Sequence, residues 1–279
     1  MRIGVGLPTT VPGANGDLLL RWAGRADAGP FSSVGVLDRP AHPSHDPFVS
    51  LAAAAAITRR VRLVTMVAIG PLRSAAVLAK QAASVNAISN GRLVLGLSIG
   101  ARREDYDVAG MDHRGRGLRL SDQLPELRSL WEEGRWVPGQ SEGPPVLVGG
   151  LSGASFARMA RWADGYVHGG GPPRAFAAAA GRAWSAWTDM ERPGRPELWA
   201  QGYFALGPPA SIEEGASYLR DYYAFTGPFA EKVAAANLTT PQAVKEFVRG
   251  YEEAGCDELV LLPTVAEPSQ LDRLADVVG

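Results

Sequence analysis

Two glycine runs, a few histidines and a few charged residues are the parts of this sequence whose types and spacing can do chemistry. Gly149-Gly150-Leu151-Ser152-Gly153 follows the apolar run Pro145–Val148 and precedes a helical stripe that begins at Phe156 and Met159. Glycines let a ligand approach the backbone closely, free N–H groups point outward at a helix start, and the Ser152 hydroxyl adds a polar atom. Together these make a cradle for a phosphate. The same residues also read as a tight turn in which Ser152 does no more than cap the helix. Gly169-Gly170-Gly171, just before Pro172, is a second run. It either wraps the same anionic group or is a plain loop.

The charged candidates are few. Asp38 ends an apolar run, so its carboxylate should reach the edge of the sheet, where it binds substrate or cofactor or pairs with Arg39. Arg102 and Arg103 follow another apolar run; they can meet a phosphate or a substrate, or simply be solvated. His168 ends a strand and reads as an acid–base group, a hydrogen-bond partner of a cofactor, or a structural histidine. His42, His45 and Asp46 lie close enough for a metal, but Asp46 before Pro47 also reads as a helix cap, and no metal is expected. His113 reads as a surface loop residue. Cys256 precedes the last strand and reads as core. There is no serine-nucleophile elbow, no carboxylate pair and no zinc helix motif. A site this rich in glycine and poor in acid–base groups suits a large flat cofactor that brings the hard chemistry itself.

These residues need a scaffold, and the apolar pattern supplies one. The expected strands are Ile3–Leu7, Ser33–Asp38, Val61–Ile69, Arg92–Ile99, Pro145–Gly149, Gly165–His168, Leu198–Leu206 and Asp257–Pro263. Several are unbroken β-branched or leucine runs, as expected for parallel strands covered on both faces. Between them lie helical stripes: Leu19, Trp22, Ala23, Ala26; Phe48, Leu51, Ala52, Ala55; Leu120, Leu124, Leu127, Trp131; Phe156, Met159, Ala160, Ala163; and Val244, Phe247, Val248, Tyr251. Asn90-Gly91 and Gly255 read as stop signals. The alanine patches at Ala52–Ala56 and Ala177–Ala180 read as helix surface packed on the sheet. Eight βα units predict an α/β fold with a parallel sheet, either an open doubly wound sheet or a closed (β/α)₈ TIM barrel. Eight units with no spare domain favour one barrel domain over residues 1–279. In a barrel the functional groups come from the loops after the strands, where the glycine runs, Asp38 and His168 all fall.

Bulk properties narrow the class. A net charge of −1 gives no electrostatic case for nucleic acid or an anionic membrane surface. A single cysteine rules out an internal disulfide and fits a reducing compartment. The start of the chain lacks the apolar run of a signal peptide, and no stretch is long and apolar enough to span a bilayer. The expectation is a cytoplasmic protein with no membrane partner.

One long segment is specific enough to be placed. Residues 61–106 combine an arginine-led third strand, a "PLR" turn, an "LAKQAAS" helix, an "SNGR" turn and an "LGLSIG" fourth strand. With Ala28–Asp38, Arg116–Trp131 and Pro145–Tyr166, the chain resembles the luciferase-like monooxygenase superfamily, whose members use FMN or the deazaflavin F420. The resemblance implies a compact, eight-stranded barrel without large insertions and with the cofactor at its C-terminal mouth. It implies a non-proline cis peptide near Ala68-Ile69 against the central ring, and Ser98, Gly100 and Arg102 beside the ring or its ribityl chain. It implies a phosphate held by Gly149, Gly150 and Ser152; from their residue type, Gly169 and Gly170 are candidates to wrap the same group. Asp38 and His168 are then the candidate catalytic groups.

The implied activity is that of an oxidoreductase. As a monooxygenase it would use reduced FMN and O₂ on a small organic substrate, with a separate flavin reductase as a partner; as an F420 enzyme it would move hydride. The reading leans to FMN. Arg39 stands where F420-using relatives often carry histidine, whereas the compact length resembles the short F420-type members. Relatives commonly form dimers, so a homodimer is expected. A flavin-binding protein without catalysis, and a barrel lyase acting on a phosphorylated substrate, are the alternatives of other classes.

Overall fold

In the computed structural model, which describes residues 1–132, 134 and 143–279, the apolar runs become short parallel strands and the stripes between them become covering helices. In chain order these are β1 (Arg2–Gly6), α1 (Gly16–Ala28), β2 (Ser33–Val36), α2 (Pro47–Ile57), β3 (Arg62–Thr65), β4 (Ala68–Ile69) and α3 (Ala75–Ile88). Then come β5 (Leu93–Ser98), α4 (Arg103–Val108), α5 (Arg116–Glu132), β6 (Val146–Gly149), α6 (Gly153–Trp162), β7 (Gly165–His168) and α7 (Pro173–Asp189). The last part holds β8 (Glu197–Phe204), α8 (Pro209–Tyr222), α9 (Phe229–Ala235), α10 (Pro241–Glu253), β9 (Glu258–Pro263) and α11 (Pro268–Val278).

Every strand pairing is parallel. The order β3-β2-β1-β9-β8-β7-β6-β5-β4 closes on itself because β3 also pairs with β5. β3 and β4 together make one stave, so the sheet is a closed eight-stave (β/α)₈ barrel, and the open-sheet alternative falls away. The expected helix stripes are the buried faces: Leu19, Trp22, Ala23 and Ala26 on α1, and Leu120, Leu124, Leu127 and Trp131 on α5. Asp46 caps α2, its side chain accepting from the N–H groups of Phe48 and Val49 at 2.9 and 3.0 Å. The alanine patches are only half packed: Ala54 and Ala55 are buried, whereas Ala53 and Ala56 face outward.

The third stave departs from the continuous run expected over Val61–Ile69. Val64 pairs with Val94, yet Ala68 pairs with Leu97. Four steps on the third stave therefore match three on β5, which is a one-residue bulge. The Met66–Val67 peptide inside it is cis. This corrects the expected position, Ala68-Ile69, by two residues. β2 also stops at Val36, so Asp38 lies beyond the ladder.

The barrel is closed at one end and open at the other. Its interior holds a layer that includes Val64, Met66, Val94, Leu147, Val167, Trp199 and Val260. Below it, at the N-terminal ends of the strands, Arg2 binds Glu258 at 2.6 Å and Glu197 at 2.7 Å, and Arg62 binds Glu197 at 2.9 Å. Arg62 also lies over the Trp199 ring at 4.7 Å. Apolar filling capped by ion pairs leaves only the C-terminal end free to hold a ligand.

The bulge has no room for a side chain opposite it. Thr65 Oγ1 donates to the Gly96 carbonyl at 2.7 Å, and a Cβ on Gly96 would lie 2.2 Å from the Thr65 carbonyl oxygen. Gly96→Ala should therefore lower unfolding free energy by about 3 kcal/mol, because backbone must move. Chemical denaturation checks this; an alanine variant as stable as the parent contradicts the close approach.

Candidate functional site

At the open end lies a cavity of about 560 Å³, a size suited to a small molecule or cofactor. Residues from most stave ends line it. Asp38 follows β2, Ile69 ends β4, Ser98, Gly100 and Arg102 come from the end of β5, Gly149, Gly150 and Ser152 follow β6, and His168, Gly169 and Gly170 follow β7. Ala68 is fully buried and does not line it, nor do Gly171 of the second glycine run and Arg103, which is exposed and 3.7 Å from Asp107.

Asp38 is buried, and its carboxylate is already committed. Oδ2 accepts from the Ile69 backbone N–H at 2.9 Å and from Arg73 Nη1 at 2.6 Å, and Oδ1 lies 3.4 Å from Arg73 Nη2. The partner is therefore Arg73, brought round by the turn after β4, and not Arg39. From α5, Gln123 Nε2 donates to the carbonyls of Gly70 and Arg73 at 3.2 and 2.8 Å and fixes that turn. Arg39 turns away, 3.0 Å from Asp105 and 3.3 Å from Glu104. Removing one partner of such a buried pair typically costs 3–5 kcal/mol. In this geometry Asp38 anchors the end of the broken stave.

The first glycine run satisfies both of its sequence readings. Ser152 caps α6, accepting from the Ser155 N–H at 3.2 Å, and its hydroxyl lies 2.7 Å from that of Ser155. Gly150 has φ +130°, and a Cβ there would lie 2.4 Å from Ser155 Oγ, so only glycine fits. The loop also brings the positive end of the α6 dipole to the cavity wall, with Ser155 beside it. The second run joins it there: Gln201 Nε2 donates to the Gly169 carbonyl at 3.2 Å.

His168 is buried, and neither ring nitrogen has a partner among the described residues. Burial pushes its pKa down from 6.5 to about 4, so the ring is neutral at pH 7. The Tyr166 hydroxyl also lacks a partner, and burial pushes it up to about 12. Unsatisfied buried polar atoms are costly, and a ligand with matching groups would relieve them.

Other sequence candidates lie elsewhere. His42 and His45 each place Nε2 against a carbonyl of the loop after β1, Thr10 at 3.1 Å and Ala14 at 3.3 Å. Among the described residues no group of three or more metal-ligating side chains comes together. His113 is half-buried against Tyr106, ring centroids 5.2 Å apart, and is not a free loop residue. Cys256 is buried, and burial pushes its thiol up.

Sequence reasoning missed the aromatic wall. Tyr203, Tyr222, Tyr223 and Phe229 line the cavity, and the hydroxyls of Tyr203 and Tyr223 lie 2.8 Å apart. The adjacent pair Tyr222-Tyr223, with Phe225 two residues on, was the visible signal. It falls at the end of α8, a helix that the stripe reading did not mark.

Comparison with known proteins agrees with this architecture. Residues 1–254 match the family model described as luciferase-like monooxygenase. An uncharacterised protein of Mycobacterium tuberculosis is 34% identical over 145 residues, covering 47% of this chain and 50% of that one. The oxygenase component of the flavin-dependent trigonelline monooxygenase of Acinetobacter baylyi is 38% identical over 89 residues, 31% of this chain and 25% of that one. The chain thus spans half or less of the length of these curated relatives. An F420-dependent secondary alcohol dehydrogenase, solved with an F420-acetone adduct, shares the fold. Its TM-score is 0.80 at 16% identity, with 99% of this chain and 98% of that one covered.

The state of His168 has a measurable consequence. Between pH 6.5 and about 4 the unfolded chain binds a proton that the folded chain refuses, so stability rises with pH across that window and the contribution is complete above it. The full span is worth on the order of 3 kcal/mol. Replacing His168 with Asn should flatten the pH dependence of unfolding between pH 4.5 and 7. Parallel profiles for the two proteins contradict a buried neutral imidazole.

Proposed function

This chain belongs to the luciferase-like monooxygenase family, and on that premise we propose that it is an oxidoreductase that holds a reduced flavin at the barrel mouth and uses it with O₂ on a small organic substrate. The observation that carries the reading is the convergence of two glycine runs and a helix N-terminus on one cavity that also holds unpartnered polar atoms of His168 and Tyr166. A phosphate fits the first part and a polar heteroaromatic ring the second. Gly149, Gly150, Ser152, Gly169 and Gly170 would hold the phosphate, with Ser98 and Gly100 along the chain between phosphate and ring. Met66, Val67 and Ile69, the cavity-lining part of the third stave, would bear on the ring, with His168 neutral and ready to donate or accept one hydrogen bond.

When bound, the reduced flavin supplies the electrons for oxygen reduction. The protein's share is to orient the partners, keep water out of an apolar mouth and offer neutral hydrogen bonds in place of a mobile proton. FMN is favoured over F420 because Arg39, which stands where F420-using relatives often carry histidine, is buried in its pairing with Asp105 and Glu104 and does not line the cavity. The relative from Acinetobacter is an oxygenase component, which supports a separate flavin reductase as partner here. A homodimer is part of the same proposal, from the habit of the family.

Gly169 offers a clean test. It is exposed, and a Cβ there would meet nothing within 4 Å of the protein, so Gly169→Leu should leave Tm within about 2 °C. It should weaken reduced FMN, measured by anaerobic titration, by about tenfold or more, because the new side chain enters the space assigned to the phosphate. Unchanged FMN affinity in the variant contradicts the assignment. Tighter binding of F420 than of FMN by the parent protein overturns the choice of cofactor.

A further inference from the structure

Part of the cavity wall differs in character from the glycine-lined part. Tyr203 from β8, Tyr222 and Tyr223 from the end of α8, and Phe229 from α9 present aromatic surface to it. Beside them sits Arg102, carried in from the end of β5. Its guanidinium carbon lies 4.5 Å from the ring centre of Tyr222, 5.4 Å from that of Tyr223 and 4.2 Å from that of Phe225. Three rings hold it in one place.

What Arg102 lacks is an anion. Nη2 donates to the Tyr222 carbonyl at 2.9 Å, Nε is buried with no partner, and no carboxylate among the described residues pairs with the group. Arg39 makes the contrast. It lies over the same Tyr222 ring, at 4.9 Å, but is matched by Asp105 and Glu104. The other charged side chain lining the cavity, Asp38, is held by Arg73. Arg102 is therefore a positioned, partly dehydrated cation on a ligand-binding wall, with most of its donor fork unused. A carboxylate matches that fork in shape and charge. Flat rings on the same wall favour a flat partner that can stack or meet them edge-on.

We infer that the substrate is a planar aromatic carboxylic acid, its carboxylate taken by Arg102 and its ring laid against the wall of Tyr203, Tyr222 and Tyr223. The inference names the substrate class of the flavin site and rests on that reading. The competing anion is the cofactor's own phosphate, which the loop position of Arg102 in the sequence also allowed. The Arg102 hydrogen bond and its three ring contacts, however, are to the α8 end and the turn after it, not to the glycine runs that follow β6 and β7.

The test uses 2-naphthoate and its neutral isostere 2-naphthamide, with binding to the FMN-loaded and the FMN-free protein measured by calorimetry. FMN affinity is measured separately in each variant. The parent should bind naphthoate about tenfold or more tighter than naphthamide, the value of a charge-assisted pair. Arg102→Gln should erase that gap while leaving FMN affinity within about threefold. Arg102→Lys, which keeps the charge but loses the fork, should retain part of the gap and shows that the loss in the glutamine variant is not misfolding. Equal binding of the two probes by the parent overturns the inference, as does an Arg102→Gln variant that loses FMN affinity and keeps the gap. An Arg102-dependent gap in a parent protein that binds no FMN supports the carboxylate site and defeats the flavin reading instead.

Discussion

Everything at the mouth depends on what the Asp38 carboxylate holds. It lies beyond the end of β2, buried, with the Ile69 N–H at 2.9 Å and Arg73 at 2.6 Å. Those two contacts join the second stave to the far side of the bulge in the third. The bulge leaves β4 only two residues long, too short to define its own direction by ladder hydrogen bonds. A buried ion pair gains little net stability over a well-packed apolar substitute, but breaking one is expensive, and so it fixes geometry. Here the geometry fixed is the part of the cavity wall formed by Met66, Val67 and Ile69.

The rest of the site follows from keeping the His168 and Tyr166 side of the cavity neutral. Burial drives His168 to the neutral imidazole and keeps the Tyr166 phenol protonated, so both offer hydrogen bonds without bringing net charge. Beside the Asp38–Arg73 pair, charge enters as a helix-dipole end and backbone N–H groups at the α6 loop, and as the Arg102 guanidinium among tyrosines. Such an arrangement is suited to positioning reactants whose chemistry comes from a bound cofactor, and poorly suited to acid–base catalysis by side chains alone.

How much of this was legible depends on which signal each part carries. The barrel was legible, because unbroken runs such as Leu259–Leu262 and the glycine stops between units leave few alternatives. The glycine runs were legible as a pair, since no ordinary element interior carries them. Asp38 was found, but its partner was not: Arg73 lies 35 positions away, and only the folded turn after β4 brings it round. The cis bond was misplaced by two residues because a β-bulge leaves no mark in an apolar run such as Val64–Ile69. The tyrosine wall was missed because Tyr203 and Tyr223 come from different elements, and their shared cavity exists only after closure. For Arg102 the sequence left phosphate, substrate and solvent open, because its loop position was visible and the aromatic cage was not.

The central claim is that the Asp38-anchored third stave and the two glycine runs frame one flavin site. A crystal structure of the protein soaked with FMN tests it most directly. The account predicts the phosphate against the loop of Gly149, Gly150 and Ser152, hydrogen-bonded at about 3 Å. It also predicts the ring over Met66–Ile69 within reach of His168, with Asp38 still bound to the Ile69 N–H. FMN bound away from both glycine runs, or a mouth that rearranges by releasing Asp38 before it admits the ring, contradicts it.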